Sequence, residues 1–239
     1  MSLERATGLV VRGTDWSETS RIVTLFTRER GKVRALAKGG RRLKSGFEGA
    51  LDLLTAVHVV YIHKAGGGLD LLTEAQVAER FPRLREDLPS LHAGYYVAEL
   101  LSDGTQDLDP HPPLFDAAVS ALRTGGLGPL PLFEVVWLRE LGYSPRLDAC
   151  AACGRTRTGP ATGPVAVSPT AGGIVCRTCR AGFRDGRAIS PAGLDALAHL
   201  TADGAAVPDG QRGDVRAVLG DAIAAILGRR PRTAGLAAG

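Results

Sequence analysis

All four cysteines of the chain stand in two pairs, Cys150-x-x-Cys153 and Cys176-x-x-Cys179, with 22 residues between them. A two-residue gap lets one tight turn offer both sulfurs of a pair to the same ion, and two such turns complete a tetrahedron of thiolates. Gly154 behind the first pair and Gly172-Gly173 ahead of the second supply the permissive backbone that these turns need. The pattern predicts one zinc ion held by Cys150, Cys153, Cys176 and Cys179. Sulfur fills every position and leaves no place for water, so the expected role of the ion is structural rather than catalytic. Two disulfides or a redox dithiol are the other readings of this spacing. Disulfides suit an oxidising compartment, and a redox pair needs a strand-to-helix junction.

At 239 residues, 44% hydrophobic and 23% charged, the chain has enough apolar sequence for a packed core, which excludes disorder and fibres. No stretch approaches the roughly 20 apolar residues of a bilayer span. The best candidate, Gly49 to Ile62, is broken by Asp52, Thr55 and His58. Met1-Ser2-Leu3-Glu4-Arg5 lacks the charged-then-apolar layout of a signal peptide, so the expectation is a soluble, cytoplasmic protein without membrane contact.

Up to about Arg80 the chain alternates and is rich in β-branched residues. Strands are predicted at Leu9 to Val11, Arg21 to Thr27, Lys32 to Ala37, Val57 to Ile62 and Leu69 to Val77. Gly31 and Gly66-Gly67-Gly68 mark hairpin connections, and Gly39-Gly40 to Gly49 forms a longer basic loop between the third and fourth strands. Five short strands in this length suit a small closed barrel of the oligonucleotide-binding type. From Phe81 the period changes, and helices are predicted at Ser90 to Leu101, Pro112 to Arg123 and Leu130 to Leu141. After the cysteines, Ser190 reads as an N-cap with Pro191 behind it; one helix follows to Leu200 and another runs from about Asp214 to Leu227. The expected fold is α+β and multidomain. Residues 1–80 form the nucleic-acid-binding barrel, 81–146 and 187–239 are two parts of a helical domain, and 147–186 form the zinc module that interrupts it.

Charge is concentrated rather than abundant. Arg28, Arg30, Lys32, Arg34, Lys38, Arg41, Arg42 and Lys44 face only Glu29, a local net of +7 in a chain whose total is +4. Alternation along the third strand puts Lys32 and Arg34 on one face, with Val33, Ala35 and Ala37 pointing into the barrel. Such a stripe attracts phosphate backbones by releasing condensed counterions, whatever the base sequence. Arg21, Lys32, Arg34, Lys38, Arg41, Arg42 and Lys44 are therefore the candidate DNA-binding residues, with a solvated surface face as the plainer reading. Arg155, Arg157, Arg177, Arg180 and Arg184 give the zinc module a positive surface of its own, whereas residues 81–146 sum to −4.

Nothing in the chain reads as catalytic. It holds no phosphate-cradling loop, nucleophile elbow or dinucleotide fingerprint. Asp107, Asp109 and His111 lie in a proline-rich stretch that suits turn geometry better than acid/base chemistry. Trp16 and Trp137 read as core or groove residues, and His58, His63, His92 and His199 as packed or surface imidazoles.

Several segments together resemble a known family. They are Gly8 to Val11, Trp16-Ser17-Glu18-Thr19-Ser20-Arg21 through Thr27, Gly31-Lys32 through Gly39, Gly49-Ala50-Leu51, and Tyr95-Tyr96-Val97-Ala98-Glu99-Leu100-Leu101. Arg139-Glu140-Leu141-Gly142-Tyr143, the region Cys150 to Cys179, and Leu227-Gly228-Arg229-Arg230-Pro231 continue the series. In order and spacing they resemble the bacterial RecO recombination mediators. The chain departs from that family at Leu132, before Phe133-Glu134, where members often carry arginine. The resemblance implies an oligonucleotide-binding barrel, a helical domain with a zinc module, and no enzymatic turnover. It further implies binding of single- and double-stranded DNA and annealing of strands coated with single-strand-binding protein. RecR is the implied direct partner and RecA the recombinase loaded at the end, in a nucleoid-associated setting. Arg139 is the candidate contact for a protein partner. A zinc-bearing adaptor and an RNA-binding barrel protein are the rival readings.

Overall fold

The computed structural model describes every residue except 43, 44, 48, 158, 160–162, 238 and 239. It separates into two compact units, one of 1–127 with the residues from 235 onward and one of 128–234. No helix among the described residues is long and apolar enough to cross a membrane.

The first unit is built on five strands, β1 (Ser2–Asp15), β2 (Arg21–Thr27), β3 (Gly31–Ala37), β4 (Ala56–His63) and β5 (Asp70–Glu79). They close into a barrel in the order β1-β2-β3-β5-β4, with a parallel step between β3 and β5. This is the oligonucleotide-binding architecture that the five strand signals predicted. β1 is longer than its apolar centre suggests because it serves two partners: Ser2–Leu9 pairs with β4 and Gly8–Asp15 with β2. A register shift between Val10 and Arg12 bends the strand from one neighbour to the other. Val23, Leu25, Val33, Ala35, Ala37, Val57 and Tyr61 fill the barrel, and Ala50 and Leu51 from the β3–β4 connection join them.

Two helices complete this unit. Helix α1 (Leu88–Gly104) starts where Asp87 accepts the Ser90 N–H at 2.7 Å, and α2 (Pro112–Thr124) starts at a proline. The segment between them lies along β3. Leu108 N–H donates to the Lys32 carbonyl at 3.0 Å, and a Cβ on Gly31 would stand 2.1 Å from the Asp109 carbonyl oxygen. Only glycine fits at that approach, and its φ of +69° agrees. Asp107, Asp109 and His111 therefore belong to a docking strap, with His111 Nε2 3.2 Å from Asp109.

In the second unit α3 (Leu130–Glu140), α4 (Pro191–Asp203) and α5 (Asp209–Leu227) pack around buried Phe133, Trp137, Leu194, Leu197 and Leu219. Ser190 caps α4 as expected, its Oγ accepting the Gly193 N–H at 3.0 Å. Helix α5 begins at Asp209 rather than Asp214, because Pro208 fixes the entry and the first turn tolerates Gly210 and Gly213. Buried Glu134 on α3 accepts from Arg216 on α5 at 3.1 Å. A small sheet unforeseen in the sequence, β6 (Val165–Ser168), β7 (Gly173–Val175) and β8 (Arg187–Ile189), runs in the order β7-β6-β8.

Candidate metal centre and nucleic-acid surface

Both cysteine pairs sit in turns that aim their sulfurs inward. The first lies in a tight hairpin closed by an Ala149–Thr156 bridge, in which Gly154 N–H donates to the Cys150 carbonyl at 2.8 Å. The second follows β7 directly, and Cys179 and Arg180 N–H both donate to the Cys176 carbonyl at 3.0 Å. Ala151 N–H donates to the Ile174 carbonyl at 2.8 Å, which ties one turn to the other. A Cβ on Gly173 would meet the Arg146 carbonyl at 2.2 Å, so glycine is needed where that strand crosses the incoming chain.

The four sulfurs all lie within 4.8 Å of one another, and Cys153 Sγ is 3.9 Å from Cys176 Sγ. Among the described residues they are the one cluster of metal-ligating side chains. Cys150 Sγ accepts the Cys176 N–H at 3.3 Å, and that backbone bond leads in holding its thiol down at about 6. Hydrogen bonding to Cys176, then to Cys153, pushes Cys179 up to about 12. Thiols this close resist ionising together, and a divalent cation removes the conflict by taking all four as thiolates. The site can bind a metal ion.

The basic run resolves into two groups. Four of its eight cations face carboxylates. Arg28 makes a two-point bond to Asp116 at 2.9 and 3.0 Å, Arg30 meets Glu4, and Arg41 lies 3.3 Å from Asp15. Lys32 is turned inward. Its Nζ donates to the Ser102 and Thr105 carbonyls at 2.8 and 2.6 Å and lies 3.4 Å from Asp107, with 12% of the side chain exposed. The expectation of Lys32 on an open basic face is corrected: alternation is as read, but the α1 C-terminus covers that end of the strand. A cation is favourable against those unpaired carbonyls. Lys32→Ala is expected to destabilise the protein by about 2 kcal/mol, since two partly buried acceptors lose a charged donor, and a lowered urea midpoint checks it.

Arg34, Lys38 and Arg42 are exposed, and no ion pair engages them among the described residues. Lys44 lies outside the described residues. Arg21 is partly exposed and 3.3 Å from the same Asp15 that Arg41 meets. Lys64, which the charge count passed over, lines a cleft of about 490 Å³ with Arg34 and His63. Trp137 is buried as expected, whereas Trp16 is 64% exposed and belongs to no core. Arg139 is half exposed in the last turn of α3, 3.7 Å from Glu140. In the second unit Arg155, Arg177, Arg180 and Arg184 are exposed around the thiolate turns, and Arg157 lies 3.7 Å from Asp195.

A closed five-stranded barrel of oligonucleotide-binding order, in one chain with a helical unit whose turns bring four thiols together, defines a class of barrel-bearing, cysteine-clustered proteins. Comparison with known proteins narrows it. Residues 1–81 match the model for the N-terminal part of Recombination protein O, and residues 85–234 match the model for its C-terminal part. The chain belongs to the Recombination protein O (RecO) family, whose members act in DNA repair and recombination. It is 43% identical over 200 residues to the DNA repair protein RecO of Rhodopirellula baltica, covering 82% of this chain and 74% of the relative. Over 239 residues it is 35% identical to that of Anaeromyxobacter dehalogenans, covering 98% and 89%. Against that of Desulfitobacterium hafniense the identity is 36% over 184 residues, covering 75% and 66%.

Proposed function

We propose that this protein is a non-enzymatic recombination mediator that binds DNA, anneals complementary single strands and helps load the recombinase onto DNA coated with single-strand-binding protein. The observation that carries the reading is the trio Arg34, Lys38 and Arg42, exposed on the barrel with no carboxylate among the described residues pairing with them. Arg21 and Arg41 supplement that trio, and Lys44, two residues after Arg42 in the sequence, is proposed with them. RecR, single-strand-binding protein and, through them, RecA are the protein partners this role requires, in the cytoplasm at the nucleoid.

One structural zinc ion per chain completes the picture. A tetrahedron with metal–sulfur bonds of about 2.3 Å has sulfur–sulfur edges of about 3.8 Å. The 3.9 Å separation of Cys153 and Cys176 fits that edge, and an all-thiolate set is the one zinc favours for structural work. Cys150, Cys153, Cys176 and Cys179 would hold it, and the ion would pin the two turns together.

The test is a salt titration. Affinity of the full chain for a labelled single strand should fall as salt rises, with a logarithmic slope of about −2 or steeper for three or more phosphate contacts. The protein should also anneal complementary strands coated with single-strand-binding protein. Salt-independent affinity, or no binding at low salt, would replace this reading with that of an adaptor working through protein contacts. Tighter binding of a matched RNA would replace DNA as the ligand.

A further inference from the structure

Trp16 is the bulkiest side chain that the barrel leaves in solvent, at 64% exposure. It opens the turn between β1 and β2, and that turn is fixed. Trp16 N–H donates to the Ser20 carbonyl at 3.0 Å, and Ser20 N–H donates to Ser17 Oγ at 3.1 Å. From the neighbouring loop, Arg41 donates its backbone N–H to the Thr19 carbonyl at 3.0 Å and its guanidinium to the Ser17 carbonyl at 2.7 Å. Both Arg21 and Arg41 also lie 3.3 Å from Asp15, the residue before the indole. A lone exposed apolar residue is ordinary. An indole held out on a turn braced from two sides by arginines is less so.

Strand register places Trp16 on the same face as the exposed cations Arg34 and Lys38. Arg12 pairs with Thr24 and Thr24 with Arg34, so these three form one row across the outer face of β1, β2 and β3. Thr14, Ile22 and Leu36 form the next row, and Ile22 and Leu36 are half-buried there. β1 and β3 run in the same direction, so Trp16 and Lys38 both continue that face one step beyond the second row. Successive rows are about 6.6 Å apart, at two residues per row. The face therefore carries cations at Arg34 and Lys38, an apolar floor at Ile22 and Leu36, and an indole just past the end of β1, two strands across from β3.

We infer that Trp16 is a base-stacking residue: an unpaired nucleobase of a single strand lies on its indole while Arg34, Lys38 and Arg42 hold the adjoining phosphates. This rests on the DNA-binding reading above and adds to it a reason for preferring single strands. Every base offers a π-face when unpaired, and a duplex offers one only at its ends. Stacking removes no charge from the interface, so its contribution is independent of salt, unlike that of the cations.

The chain has two tryptophans, and Trp137 is fully buried in the second unit, so a change in fluorescence on binding reports Trp16. Titrating the full-length protein with an oligothymidylate is expected to quench it. Trp16→Ala should weaken single-strand binding roughly five- to hundred-fold with the salt slope unchanged, and Trp16→Phe should restore most of the loss. Duplex affinity should stay the same in both variants. A strand with the same phosphates but abasic sites should bind the parent and Trp16→Ala equally. Unquenched fluorescence, or a Trp16→Ala variant that binds oligothymidylate like its parent while the salt slope persists, would overturn the stacking alone. Failure of the parent to bind at all would overturn the DNA reading with it.

Discussion

Removing one thiolate, as in Cys176→Ser, is expected to cost the protein its metal ion and the structure of residues 147–186. That segment has little apolar interior of its own: its two strands are four and three residues long, and the third strand of their sheet, β8, follows it. What joins the turns is a handful of backbone bonds and the four converging sulfurs. Apparent binding energies of structural zinc sites are about 10–16 kcal/mol, and in such sites the binding energy is folding energy. Elemental analysis of the purified parent should give about one zinc per chain, and the variant close to none. Limited proteolysis should then cut between β6 and β8 before it touches the barrel, which forms its own compact unit. A variant that keeps a full complement of zinc would sink the four-thiolate assignment, as would a parent that contains no metal.

Replacing Arg34, Lys38 and Arg42 together by alanine is expected to weaken single-strand binding about fifty-fold at ~0.15 M salt, from three lost phosphate contacts at about 0.7 salt-slope each. The loss should be similar for all base sequences, and the salt slope should become shallower by about 2. Stability should change little, because none of the three side chains is buried or engaged in an ion pair among the described residues. Anisotropy titrations at several salt concentrations, with a thermal melt alongside, provide the check. A variant that folds normally and binds as before would move the DNA path off the barrel. The exposed Arg155, Arg177, Arg180 and Arg184 around the metal centre would then be the next cations to replace.

The barrel was legible because its strands obey a local rule. Arg21–Thr27 is a strand in sequence and structure alike, since β-branched residues alternate there between a core face and a lid. The metal ligands were legible because tetrahedral chemistry constrains their spacing directly. What escaped was decided by distant partners. The sequence around Lys32 is that of an exposed strand position, and only the docking of α1, about seventy residues later, turns it into a helix-end clamp. Ion pairing of Arg28 with Asp116, Arg30 with Glu4 and Arg41 with Asp15 is likewise invisible in a charge count, and together with the turning in of Lys32 it halves the stripe that the count promised. The exposure of Trp16 runs against the usual preference of tryptophan for the interior, so no propensity could reveal it. The strands β6 to β8 are too short to carry a period at all.

Sharing β1 between two partners has a consequence for the order of events during synthesis. Gly8–Asp15 can pair with β2 as soon as about thirty residues have emerged, since a short hairpin closes quickly. Ser2–Leu9 must wait for Ala56–His63. Until then the nascent chain carries an open strand edge, with the backbone groups of Ser2–Leu9 unsatisfied and available to any other extended chain. This pairing spans the largest sequence separation of any in the barrel, so it is expected to be the slowest and most vulnerable join. Crowded ribosomes translating the same message are where mispairing between copies is expected to arise.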